Sequence, residues 1–162
     1  RVNMTKSGMS AEMREAIKDS IKKEQQSHDF YADAAAKVKS KDLTDLFNEL
    51  AEEELGHRSF LERVLAEESF SRPIKAQPTD FRLAEEVIAE KPDLTTDMPF
   101  DAAIALAIKR EEEAMTLYQE LADKITGNKE MYDMFINLRN MEQAHKTRLE
   151  SIYMNVAYSE VW

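Results

Sequence analysis

Apolar residues recur along this chain at alternating steps of three and four. That is the period of a helix burying one face. One run reads Ile17, Ile21, Glu24, His28, Tyr31, Ala35, Val38, and a second reads Leu43, Phe47, Leu50, Glu54, His57, Leu61, Val64. A third reads Ile104, Ile108, Glu111, Met115, Tyr118, Ala122, Ile125. A fourth reads Met131, Phe135, Leu138, Glu142, His145, Leu149, Ile152, Val156. Each run predicts a helix of about 20 residues or more, and four such seams predict a left-handed four-helix bundle.

The four runs are two copies of one pattern. IKKEQQSHDFYADAA, from Ile21, aligns with IKREEEAMTLYQELA, from Ile108, at an offset of 87. LFNELAEEELGH, ending at His57, aligns with MFINLRNMEQAH, ending at His145, at an offset of 88. The one-residue change belongs in a turn, near Ser40 in the first copy and Gly127-Asn128 in the second. Each copy therefore predicts an αα-hairpin.

A single domain follows, with hairpin one at 10–68, a crossover at 69–97 and hairpin two at 98–157. The crossover holds Pro73, Pro78 and Pro92. Its segment DFRLAEEVIAE, from Asp80, is amphipathic and predicts a short helix. A connection of that length lets the third helix run parallel to the second, the topology of ferritin-like bundles with one long crossover. The expected fold class is all-α.

Six residues break the apolar seams. Glu24, Glu54, Glu111 and Glu142 occupy positions that should be hydrophobic, and His57 and His145 follow Glu54 and Glu142 by three residues. One turn is 3.6 residues, so each Glu-x-x-His pair shares a face. Four carboxylates in one core repel and lose hydration, at several kcal/mol each. Two divalent cations would balance the four charges, with two neutral imidazoles completing the set. Di-metal bundles use this recipe: one Glu from each of two helices and Glu-x-x-His from each of the others. The alternative is a set of solvated glutamates, which would require all six to leave faces that are otherwise apolar. Among the neighbouring acids Glu52, Glu53, Glu112 and Glu113, histidine spacing selects Glu54 and the repeat selects Glu111.

Composition narrows the function. The 162 residues carry a formal charge of −10, and hydrophobic residues make up 43%. Phosphate binding needs clustered Lys and Arg, so a nucleic-acid partner is not expected. No cysteine is present, which removes disulfides, thiolate zinc sites and a rubredoxin-type iron site from this chain. A reducing, cytoplasmic location is the expectation. No apolar run reaches the roughly 20 residues of a membrane span. The first ten residues, RVNMTKSGMS, lack the apolar stretch of a signal peptide and read as a frayed leader.

At its Glu and His positions the chain resembles the rubrerythrin-like branch of the ferritin-like superfamily, over about Ser10 to Val156. The resemblance implies that Glu54 and Glu142 bridge two metals. Glu24 and His57 would complete one metal, and Glu111 and His145 the other. It implies iron, with manganese or zinc as alternatives, and chemistry with O2 or H2O2. Two features depart from rubrerythrins proper. These carry a second glutamate one turn after the third-helix ligand, where this chain has Ala114, and a rubredoxin-type domain, which needs cysteines. The remaining six-ligand set looks closer to the ferroxidase centre of bacterioferritin-type proteins.

Tyr31 and Tyr118 each lie seven residues beyond a ligand on the same face. They are candidates to hydrogen-bond a ligand or oxidant, or to intercept a stray oxidising equivalent; the plainer reading is a core tyrosine. His28, one turn after Glu24, has Met115 as its counterpart. It reads as a hydrogen-bonded core histidine, with a seventh ligand or proton relay as the alternative. The leading expectation is a di-iron oxidoreductase of ferroxidase or peroxidase type, with an external electron donor for the latter. A di-manganese catalase-like enzyme, a non-catalytic iron-handling module and a bundle that metals only brace are the alternatives. A homodimer or higher homo-oligomer is expected.

Overall fold

The computed structural model describes residues 9–67 and 99–159. The crossover at 69–97, with its expected short helix, lies outside the described residues, as does most of the leader. Four α-helices are described: α1 Ala11–Lys37, α2 Lys41–Glu67, α3 Phe100–Asp123 and α4 Lys129–Ser159. At about 1.5 Å per residue each is roughly 35–45 Å long. Among the described residues no helix is long and apolar enough to cross a membrane.

Local chemistry sets most helix starts. Ser10 Oγ accepts the Met13 N–H at 3.0 Å. Ser40 Oγ accepts Leu43 N–H at 3.3 Å, and Asn128 Oδ1 accepts Met131 N–H at 3.1 Å. Ser40 and Asn128 are equivalent at the 88-residue offset, so both copies open their second helix with the same cap. α3 is entered differently, from Pro99 in extended backbone with no side-chain cap. The extra residue of the second copy sits in the turn between α3 and α4, where Gly127 takes a φ of 74°. That left-handed conformation costs an L side chain, and glycine adopts it freely.

In hairpin one, Tyr31 of α1 packs on Phe47 of α2 with ring centroids 5.7 Å apart. Thr44 Oγ1 donates to the Ala35 carbonyl at 3.3 Å, and the Arg58 guanidinium donates to Gln25 Oε1. In hairpin two the equivalent Tyr118 stacks on Phe135 at 6.3 Å. Arg139 donates to Gln119 Oε1 across the same pair of helices. Aromatic pairs of this kind add about 0.5–1.5 kcal/mol beyond the area they bury.

The seam is the buried face. Every expected seam position of α2 is buried, as is every one of α4 from Met131 to Leu149. α1 and α3 are less regular, for Ile21, His28 and Met115 are only half-buried. The N-terminal half of α3 is buried on all sides, from Ala103 through Ile108. An all-apolar stretch of this kind has no polar face to present to water.

Candidate metal centre

Each hairpin places two carboxylates and one imidazole together. In hairpin one, Glu24 comes from α1, and Glu54 and His57 come from successive turns of α2. All three are buried. His57 Nδ1 lies 3.5 Å from Glu24 Oε2 and 3.2 Å from Glu54 Oε1. In hairpin two, Glu111 comes from α3, and Glu142 and His145 from α4, again all buried. His145 Nδ1 lies 3.4 Å from Glu111 Oε2 and 3.6 Å from Glu142 Oε1. The Glu-x-x-His spacing brings the second-helix pair onto one face, and cross-helix packing supplies the other carboxylate.

The separations carry chemical information. A typical N–H···O bond is about 2.9–3.0 Å. Two donors each about 2.1 Å from one ion stand about 3.0–3.4 Å apart at octahedral to tetrahedral angles. The observed distances of 3.2 and 3.4 Å fall within that range and those of 3.5 and 3.6 Å just beyond it, all longer than a typical hydrogen bond. The donor set of carboxylate oxygen and imidazole nitrogen suits Fe(II), Mn(II) or Zn(II). Within each hairpin the two carboxylates and the imidazole offer ligand atoms close enough together to hold a metal ion.

The family model for rubrerythrin matches residues 15–153. The chain belongs to the rubrerythrin family. Rubrerythrins are typically di-iron proteins with oxidoreductase activity, and their all-α, ferritin-like four-helix bundle is the fold class of this chain. The buried Glu and His residues are thus a candidate binuclear metal site in a rubrerythrin fold. Searches of curated proteins and of solved structures returned no match.

The other sequence candidates fall as follows. Tyr31 and Tyr118 are both 1% exposed and share equivalent places against Phe47 and Phe135. His28 is half-buried, with Nδ1 3.0 Å from Asp29 Oδ1 and 3.4 Å from Gln25 Nε2. It is hydrogen-bonded, as the sequence suggests, but toward a wetter face than a core histidine. The His28 bond, and then the Gln25 bond, hold the exposed Asp29 carboxyl below its usual range. Of the neighbouring acids, Glu52, Glu53 and Glu113 are exposed. Glu112 is not idle, for it accepts from Lys146 Nζ at 2.7 Å.

Sequence reasoning passed over the ion pair beside the ligands. Lys146 and Glu150 are both fully buried, 4.0 Å apart. The repeat carried a signal for them, since the 88-residue offset places Lys146 on Arg58 and Glu150 on Glu62.

Proposed function

We propose that this protein is a di-iron carboxylate oxidoreductase that oxidises Fe(II) with O2 or peroxide. The observation that carries the reading is the duplicated half-site, with one imidazole nitrogen facing two buried carboxylates in each hairpin. Glu24, Glu54 and His57 would hold one iron, and Glu111, Glu142 and His145 the other. Bound iron would supply the electrons and the open positions at which an oxidant reacts.

The chain's own part is to bind, orient and exclude water. Four buried carboxylates compensate divalent charge and favour the oxidised metal, because they are hard anionic donors. Each imidazole is fixed on the same helix face as a carboxylate one turn earlier, so ligand geometry is set by helix packing. The apolar rows above and below, such as Leu50 with Leu61 and Leu138 with Leu149, are fully buried and keep bulk water from the ligands. In this reading Tyr31 and Tyr118, two turns from Glu24 and Glu111 in sequence, would hydrogen-bond a ligand or intercept a stray oxidising equivalent.

The partners in this reading are O2 or H2O2 and, for a peroxidase cycle, an external electron donor. The working form is a homodimer or larger homo-oligomer of a single-domain chain in the cytoplasm. The test is to load the protein anaerobically with Fe(II), mix with O2 or H2O2 in a stopped-flow cell, and follow near-ultraviolet and visible absorbance. Rapid oxidation with repeated turnover supports the enzyme. Two tightly held irons that never react would leave an iron-handling module. Peroxide disproportionation only by the manganese-loaded form would favour a catalase-like enzyme.

A further inference from the structure

The residues that follow the ligands form a second duplicated set. Gln25 follows Glu24, and Glu112 follows Glu111. Arg58 follows His57, and Lys146 follows His145, each with a glutamate four residues on, Glu62 and Glu150. In both hairpins the basic residue clasps the opposite helix at the level of the ligands. In hairpin one, Arg58 donates to Gln25 and lies 3.3 Å from Glu62, with Arg58 38% and Glu62 48% exposed. In hairpin two, Lys146 Nζ lies 2.7 Å from Glu112 and 4.0 Å from Glu150, with Lys146 and Glu150 at 0%.

The two clasps are alike in topology and unlike in physics. A half-exposed amide–guanidinium contact competes with water and constrains little. A buried ammonium has lost its hydration and depends on its anionic partners, so its position is stringently held. Glu112 is covalently next to Glu111, and Lys146 next to His145. Their bond therefore fixes the axial register and rotation of α3 against α4 where Glu111 and His145 meet.

We propose that Lys146 is a positioning residue of the Glu111–Glu142–His145 half-site. Its bond to Glu112 sets the ligand geometry before metal arrives, so this half is the more preorganised and fills first. Preorganised ligands bind more tightly because less ordering remains at the moment of binding. The proposal rests on the two-metal reading above.

Co(II) is the probe, titrated anaerobically into the metal-free protein and read by its visible d–d absorption. The wild type is expected to take two Co(II) per chain in two resolved steps. Lys146→Met is expected to weaken the tighter step by about 10–100-fold, the usual effect of removing a group that supports a metal ligand, and to leave the weaker step unchanged. Glu112→Gln acts in the same direction by a smaller factor, and it carries the test if Lys146→Met does not melt cooperatively without metal. Glu112→Gln with Lys146→Arg rebuilds the Gln25–Arg58 clasp and is expected to recover most of the tighter step and its spectrum. The proposal is overturned if both single variants keep the tighter step, if both steps weaken together, or if the wild type fills in one unresolved step. A wild type that binds fewer than two Co(II) overturns the two-metal reading itself, and the proposal with it.

Discussion

His57 Nδ1 stands 3.5 Å from Glu24 Oε2, on the other helix of the same hairpin. The equivalent pair in hairpin two, His145 and Glu111, stands at 3.4 Å. Neither pair is close in sequence, and each joins a first-helix carboxylate to the Glu-x-x-His of the second. A repeat of sequence has thus become a repeat of ligand geometry.

Removing one carboxylate from each half should separate metal binding from folding. Glu54→Ala combined with Glu142→Ala is expected to abolish two-metal binding and to leave the far-ultraviolet circular dichroism helical. In the wild type, metal at 100 times its Kd should add about 2.7 kcal/mol per site. For a chain of this size that raises Tm by roughly 5–10 °C per metal. The double variant should lose this rise, and a chelator should abolish it in the wild type. Retention of two metals per chain by the variant would refute the ligand assignment.

The two described glycines should respond in opposite directions to alanine. Gly127 has a φ of +74°, and an added Cβ there would meet nothing within 4 Å. Gly127→Ala should therefore lose about 1 kcal/mol from backbone strain alone. Gly56 lies inside α2 on an exposed face, and a Cβ there also meets nothing within 4 Å. Gly56→Ala should gain about 0.5–1 kcal/mol through helix propensity. Urea denaturation of the metal-free protein reads both, and a gain at Gly127 would contradict the turn geometry.

Asp29 should titrate below an ordinary aspartate. Its carboxyl is lowered first by the His28 bond and then by the Gln25 bond. A lowered folded pKa contributes stability that is present above the unfolded value and is lost as pH falls through the folded one. The side chain is exposed, so the effect on stability is small. His28→Ala should move the Asp29 midpoint upward toward the usual carboxylate range in an NMR titration. An unchanged midpoint would mean that the His28 bond does not form in solution.

Much of the site is legible because its residues violate a local rule. Glu54 and Glu142 stand where α2 and α4 need apolar side chains, and the three-residue step to His57 and His145 places each pair on one turn. Ser40 and Asn128 are equally legible as caps. The repeat marks Lys146 and Glu150 as a pair, but their burial was not legible, because a lysine beside a histidine in an acidic helix reads as solvated. Their burial depends on how far the covered face of α4 extends around the helix, which no run of seven residues states. His28 shows the converse, for its seam position suggests a core residue and the helix turns it toward Asp29 and Gln25.

The sequence by itself determined the helices, their pairing into two like hairpins, and the six Glu and His residues that break the apolar seams and are buried. Periodicity and repetition are properties of a one-dimensional pattern, so they survive without coordinates. Tertiary structure decided which atoms meet: that Nδ1 of each histidine faces both carboxylates of its half, and that Lys146 reaches Glu112 across 34 residues while Arg58 reaches Gln25 across 33. Such contacts depend on the axial register of one helix against another. Register is set by the summed packing of many side chains, and no local stretch of sequence contains that sum.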